Sequence, residues 1–217
     1  MVKRALTEKR PWLFASIAVA IAYFFLKDTA IGGTWLILLK GSAAGLLAVY
    51  ALQRHNSIDA KILAIVMLLS AAGDMLIELD LIWGGIAFFL SHLAAIALYL
   101  KNRRHNPAKS QMFAALALLA LAPLVSWLVS HDPGIAIYGL ALGGMAATAW
   151  LSRFSRYRVG VGAIVFVVSD WLIFAGVGNS GLPGWSANLV WPLYYLGQFL
   201  IATGVIQTLR KELPSAG

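Results

Sequence analysis

The chain has 217 residues, 60 % of them hydrophobic and only 12 % charged, with a mean hydropathy of +0.79. Soluble domains run near about 25 % charged residues, so this composition excludes a water-facing globule. The 17 Lys and Arg against 9 Asp and Glu give a net charge of +8, which in a soluble protein would point to nucleic acid. No cysteine is present, which excludes disulfides, thiolate metal sites and thiol nucleophiles.

Apolar runs recur along the chain at 12–27, 31–53, 61–79, 82–100, 111–130, 133–152, 158–178 and 187–209. Each is near the ~20 residues that cross a bilayer core. Lys3, Arg4, Lys9 and Arg10 precede the first run as they would in a secretory signal, but Lys27-Asp28 is a poor cleavage site and seven further runs follow. The first run therefore reads as a retained helix. Irregular backbone cannot face lipid, and none of the runs alternates as barrel strands do. The expected fold is all-α: a polytopic bundle of eight transmembrane helices forming a single membrane domain over residues 1–217.

The basic residues orient the bundle. With a cytoplasmic N-terminus, the even-numbered loops and the C-terminus are cytoplasmic too. Every Lys and Arg except Lys27 and Lys40 then falls on that side: the four at the N-terminus, Arg54 and Lys61, Lys101, Arg103, Arg104 and Lys109, Arg153, Arg156 and Arg158, and Arg210 and Lys211. This is the positive-inside pattern of a cell (inner) membrane protein. Trp35, Trp83, Trp185 and Trp191 lie near the outer ends of their spans, as an interfacial belt expects. The basic surplus is thus a topology signal with affinity for anionic membrane lipids, and not a nucleic-acid footprint.

Spans three and seven share Gly73-Asp74-Met75-Leu76-Ile77 and Ser169-Asp170-Trp171-Leu172-Ile173, and Phe88/His92 in span four answer Tyr194/Gln198 in span eight. An offset of four spans preserves orientation, so the pattern suggests a parallel 4+4 repeat. Chance matching in Leu-rich helices is the alternative.

Ionisable groups inside a span each cost roughly 2.5–3.5 kcal/mol on insertion scales. Those present are Lys40 in span two, Asp74 and Glu78 in span three, His92 in span four and Asp170 in span seven, with Tyr138, Ser169, Tyr194, Tyr195 and Gln198 as polar companions. At ~1.5 Å per residue Lys40, Asp74, His92, Asp170 and Tyr195 fall some 8–15 Å below the outer surface. That common depth suggests one polar cavity in the non-cytoplasmic half. Asp74 and Glu78, four apart, are expected on one helix face. Glu78 lies a turn from the loop, where it can simply reach water. Lys40 reads equally as a structural counter-ion to Asp74 or Asp170. His92, Tyr138 and the Tyr194-Tyr195 pair read equally as satisfied packing residues. The two aspartates are harder to dismiss, since two buried carboxyls beside one lysine leave a proton to be held or shared.

No metal is expected: His55, His105 and His131 lie in or beside loops, which leaves His92 alone among the spans. The nucleophile elbow, phosphate-binding loop and dinucleotide fingerprint are absent. Gly41–Gly45 and Gly139–Gly143 read as small-residue helix contacts.

The ordered set Lys40, Gly73-Asp74, Phe88, Ser91-His92, Gly162-Ala163, Phe166, Ser169-Asp170 and Tyr194-Tyr195-Leu196-Gly197-Gln198 resembles the YhhN family of eight-span membrane proteins, which includes the lysoplasmalogenases. Gly41 departs from the family pattern, where proline usually follows the lysine. The resemblance implies a lysophospholipid substrate and hydrolysis of the vinyl ether bond of lysoplasmalogens, giving a fatty aldehyde and glycerophosphoethanolamine or glycerophosphocholine, without a cofactor. Such a bond opens when its β-carbon is protonated and water attacks the resulting oxocarbenium ion. The reaction needs one carboxyl in its acid form and a second carboxylate, much as glycosidases do. Asp74 and Asp170 are the expected catalytic pair, their acid and base roles unassigned. Lys40, Glu78, His92, Tyr138, Ser169, Tyr194, Tyr195 and Gln198 are the expected substrate-binding residues.

Two other readings use the same residues. A small proton-coupled transporter also places Asp, Lys and His within spans, although Pro123 and Pro192 do not form matched midplane breaks. A non-catalytic lipid-binding protein would tolerate replacement of both aspartates.

Overall fold

The structure, a computed structural model, describes residues 10–30 and 32–212. Within them the secondary structure is helical: α1 (Pro11–Leu26), α2 (Thr34–Arg54), α3 (Ile58–Leu76), α4 (Leu81–Lys101), α5 (Lys109–Ser130), α6 (Pro133–Leu151), α7 (Val161–Val177) and α8 (Ala187–Lys211). A π-helical turn, Arg156–Gly160, leads into α7 and a short 3-10 turn, Gly184–Ser186, into α8. Each helix falls on one of the eight expected runs. By length and composition six of them can cross a membrane: α2, α4, α5, α6, α7 with its π turn, and α8 with its 3-10 turn. Helix α1 is apolar but only 16 residues long, and α3 carries Asp59, Lys61 and Asp74 within 19 residues. The basic residues Lys3, Arg4 and Lys9 lie outside the described residues.

Local chemistry explains where helix ends depart from the hydropathy pattern. Helix α3 starts earlier than expected because the Ser57 hydroxyl accepts the Ala60 N–H at 3.2 Å and Asp59 sits in the positively polarised first turn. It also stops earlier, at Leu76. The Leu79 and Asp80 N–H groups both return to the Leu76 carbonyl, at 2.9 and 2.8 Å. The Asp80 carboxylate then accepts the N–H groups of Ile82 and Trp83, at 2.9 and 3.0 Å, and starts α4. Glu78 therefore lies in the turn and not on α3, which corrects the expectation that it shares a helix face with Asp74. Asp132 caps α6 through the Gly134 and Ile135 N–H groups, with Pro133 in the first turn.

The chain forms two compact units, one running up to Ser91 and taking in the chain from Leu209 onward, the other His92–Thr208. Their boundary falls inside α4, not between the fourth and fifth helices. In the first unit α1 packs on α2 and α2 on α3. The buried Ser16 hydroxyl donates to the Ala43 carbonyl at 2.6 Å. Gly41 lets α2 approach α3 closely, because a Cβ there would come within 2.9 Å of the Ala71 carbonyl. Ser91 of α4 reaches Ser70 at 2.9 Å and donates to the Val66 carbonyl at 3.0 Å.

In the second unit α5 packs on α6 through Gly139 and Gly143, as the small-residue faces predict; their Cβ positions would meet Pro123, Ser126, Leu118 and Ala122 of α5. Helices α7 and α8 meet at Gly162 and Gly197, each of which faces the other's carbonyl. The α4–α5 and α6–α7 connections are fastened by Arg153, whose Nε donates to the Asn102 side chain at 2.7 Å, and by the Arg104 N–H to the Leu151 carbonyl at 3.0 Å.

The glycine contact predicts a stability difference. Gly162→Leu drives a side chain into the Gly197 carbonyl and Leu200, and is expected to cost about 1–3 kcal/mol. Gly176→Ala, at a position with nothing within 4 Å of the new Cβ, is expected to be neutral. Thermal unfolding of the two variants in detergent measures the difference.

Candidate functional site

Asp170 of α7 is 5 % exposed, a buried carboxyl that requires partners. Helix α6 supplies the first, because the Tyr138 hydroxyl donates to Asp170 Oδ2 at 2.8 Å. Helix α4 supplies the second, with His92 Nε2 lying 2.9 Å from the same hydroxyl and 4.0 Å from Asp170 Oδ2. A phenol has one hydrogen. When Tyr138 gives it to Asp170, its oxygen must accept the Nε2–H of His92, which sets the histidine tautomer. When Asp170 itself carries a proton, the direction of the chain reverses: the carboxyl donates to Tyr138 and the phenol to His92. Three helices thus hold a single file of hydrogen bonds that responds to one proton on Asp170.

Aromatic rings wall this file. His92 packs edge-on against Tyr138 and Phe166, with centroids 5.3 and 5.2 Å apart. Phe166 in turn meets Tyr194 at 5.2 Å, and Tyr138 meets Phe174 at 5.5 Å. On α8, Gln198 lies one turn from Tyr194 and its amide donates to the Tyr194 hydroxyl at 3.5 Å. Tyr195 is half-buried and stacks beside Trp191. The Ser169 hydroxyl is fully buried and donates to the Phe166 carbonyl of its own helix at 2.7 Å. Trp35, Trp83 and Trp185 are exposed as an interfacial belt requires, but Trp191 is buried against Tyr194 and Tyr195. Its position near a span end carries no information about which side of the helix packs.

The first unit holds the remaining predicted residues. Asp74 is 2 % exposed in the last turn of α3, beside Gly73, where a Cβ would strike the Phe88 ring at 2.8 Å. Lys40 of α2 reaches Glu78 at 2.5 Å. The expected counter-ion of Lys40 is an aspartate; its salt bridge goes to Glu78, which the turn after α3 swings toward α2. Tyr23 of α1 was not anticipated. Its hydroxyl donates to Glu78 Oε1 at 3.4 Å and its ring lies beneath the Lys40 ammonium, 5.7 Å from the centroid. Its one sequence signal is a phenol within an otherwise apolar run. Phe174, against Tyr138, was likewise unforeseen because a phenylalanine in a span reads as packing.

The model of the YhhN family matches residues 35–205. Proteins named Lysoplasmalogenase from Mycobacterium bovis and Mycobacterium tuberculosis are each 32 % identical to this chain over 191 residues, which covers 81 % of this chain and 71 % of theirs. No solved structure matches.

The hydrogen-bonded file predicts energetic coupling. Tyr138→Phe strips a donor from a buried carboxyl and is expected to cost about 1–3 kcal/mol. In an Asp170→Leu background the same change is expected to cost little. Unfolding of the two single variants and the double variant in detergent checks this, additive effects being the contrary result.

Proposed function

This chain belongs to the YhhN family, and from that premise we propose that it is a membrane hydrolase that opens the vinyl ether bond of lysoplasmalogens. The products are a fatty aldehyde and glycerophosphoethanolamine or glycerophosphocholine. The relatives named Lysoplasmalogenase support the substrate class. The observation that carries the chemistry is the buried Asp170, joined through Tyr138 to His92.

A vinyl ether is inert to nucleophiles until its β-carbon takes a proton. A carboxyl in its acid form gives that proton and the electron pair of the double bond forms the new C–H bond, leaving an oxocarbenium ion. Water adds to the positive carbon while the second carboxylate takes its proton. The hemiacetal then collapses as that proton passes to the glycerol oxygen, the C–O bond breaks, and the hemiacetal hydroxyl gives its proton to the first carboxylate, which restores the acid. Asp74 and Asp170 serve as these two carboxyls in the proposed mechanism, their roles unassigned. The reversible file through Tyr138 to His92 gives Asp170 a route to lose or regain a proton without exposing it to bulk water. In this reading Tyr194, Tyr195, Gln198 and Ser169 help to orient water and the glycerol hydroxyl, and a single-chain lipid enters from the leaflet.

The same reading places all eight helices across the cell (inner) membrane, with both termini cytoplasmic, the polar residues in the non-cytoplasmic half, and the two aspartate-bearing spans as equivalents in a parallel 4+4 repeat. The cysteine-free sequence makes the orientation directly testable. A single cysteine at Ser180 is expected to react with a membrane-impermeant maleimide on intact cells, and one at Asn106 only after the membrane is opened.

Purified protein given alkenyl and ester lysolipids is expected to release aldehyde from the former and no fatty acid from the latter. Asp74→Asn and Asp170→Asn are each expected to lower aldehyde release by about 100-fold or more. Full activity in either variant refutes the assignment, and ester cleavage alone redirects the chemistry to acyl transfer.

A further inference from the structure

The first unit holds a charge pair that the carboxyl chemistry does not use. Lys40 and Glu78 form a salt bridge, the Lys40 side chain 14 % exposed and that of Glu78 38 %. The pair can therefore be reached from outside, and reached on both of its charges. Neither charge is loosely held. Lys40 sits over the Tyr23 ring, and the Tyr23 hydroxyl binds the same Glu78 oxygen that the lysine binds. One side chain from α1 thus fixes a cation on α2 beside an anion in the α3–α4 turn. An ion pair with one partner this exposed typically contributes little to stability, so stability alone gives little reason to set a lysine within an apolar span. In sequence Glu78 stands four residues beyond the buried Asp74.

We propose that Lys40, Glu78 and Tyr23 form a recognition site for a zwitterionic phosphodiester headgroup, with the phosphate against Lys40 and the ammonium against Glu78. The inference rests on the lysoplasmalogen reading and goes beyond it, by assigning headgroup selection to these three residues. A phosphoethanolamine or phosphocholine group carries a negative and a positive charge separated by two carbons. Laid antiparallel to the Lys40–Glu78 pair, it makes four alternating charges and leaves the existing salt bridge intact. An anionic headgroup such as phosphoglycerol satisfies Lys40 but puts an uncharged glycerol and a net negative charge against Glu78. The site therefore discriminates by sign as well as by attraction. Tyr23 acts as a positioning residue, holding both charges without being required to touch the lipid.

Binding tests the site separately from turnover. Alkyl-ether lysolipids, which lack the vinyl bond, are titrated into the detergent-purified protein with either a phosphocholine or a phosphoglycerol headgroup, and intrinsic tryptophan fluorescence or calorimetry reads the affinity. The wild type is expected to prefer phosphocholine by about tenfold, on the scale of one ion pair with partial desolvation. Glu78→Gln is expected to bring that ratio close to one, by weakening phosphocholine binding and strengthening phosphoglycerol binding. Lys40→Gln is expected to weaken both lipids. Tyr23→Phe, which keeps the ring and removes the hydroxyl, is expected to reduce the preference only in part. Equal affinity of the wild type for the two headgroups overturns the proposal, as does a Glu78→Gln variant that remains folded and keeps the wild-type ratio. A Glu78→Gln variant that loses both lipids in the same proportion marks Glu78 as structural and also overturns the proposal. These outcomes do not depend on cleavage: absence of aldehyde release with intact headgroup preference refutes the hydrolase reading alone, and aldehyde release without headgroup preference refutes this site alone.

Discussion

The hydroxyl of Tyr138 hydrogen-bonds to both Asp170 and His92, and the helices of the second unit that carry these three residues are held around that contact. A carboxyl within an apolar helix carries a desolvation cost that hydrophobic packing cannot offset. It persists only where a donor is brought to it and held. Here the donor comes from α6, and its own acceptor need is met from α4. Close approach of α6 to α5 at Gly139 and of α7 to α8 at Gly162 fixes the two helices that carry Tyr138 and Asp170. The rings of Phe166 and Phe174 fill the flanks, so the hydrogen bonds lie in a region of low polarity where they are strong.

This arrangement suits acid catalysis at carbon. A carboxyl in bulk water is poorly placed to hold a proton for a weakly basic alkene, whereas one screened from water and linked to a phenol–imidazole chain has a defined partner in either protonation state. In the proposed reaction the file can reverse, so the same atoms would serve before and after proton donation. The first unit contributes chemistry of a different kind, an opposed pair of charges within reach of the outside, built on a turn that ends α3 two residues after Asp74.

Hydropathy made the architecture legible: eight apolar runs became eight helices, and Asp74, His92 and Asp170 are buried as their position in apolar runs required. What it could not show were the effects decided by hydrogen bonds a few residues long or by helix rotation. The return of the Leu79 and Asp80 N–H groups to the Leu76 carbonyl ends α3 early and moves Glu78 off the helix face, so its i, i+4 relation to Asp74 does not predict a shared face. Trp191 shares its depth with the interfacial tryptophans but turns inward. Lys40 had several carboxylates within plausible reach, and spacing alone does not say which one a turn will present. Tyr23 escaped notice because a tyrosine in an apolar run looks like packing until its hydroxyl is seen to reach Glu78.

Proton donation to carbon is the step on which the proposed chemistry depends, and the rate of aldehyde formation in a single turnover, compared in light and heavy water, tests it most directly. With an exchangeable carboxyl proton moving to the β-carbon as the bond-breaking event, formation is expected to be markedly slower in heavy water. Equal rates in the two solvents would contradict acid catalysis by a buried aspartate.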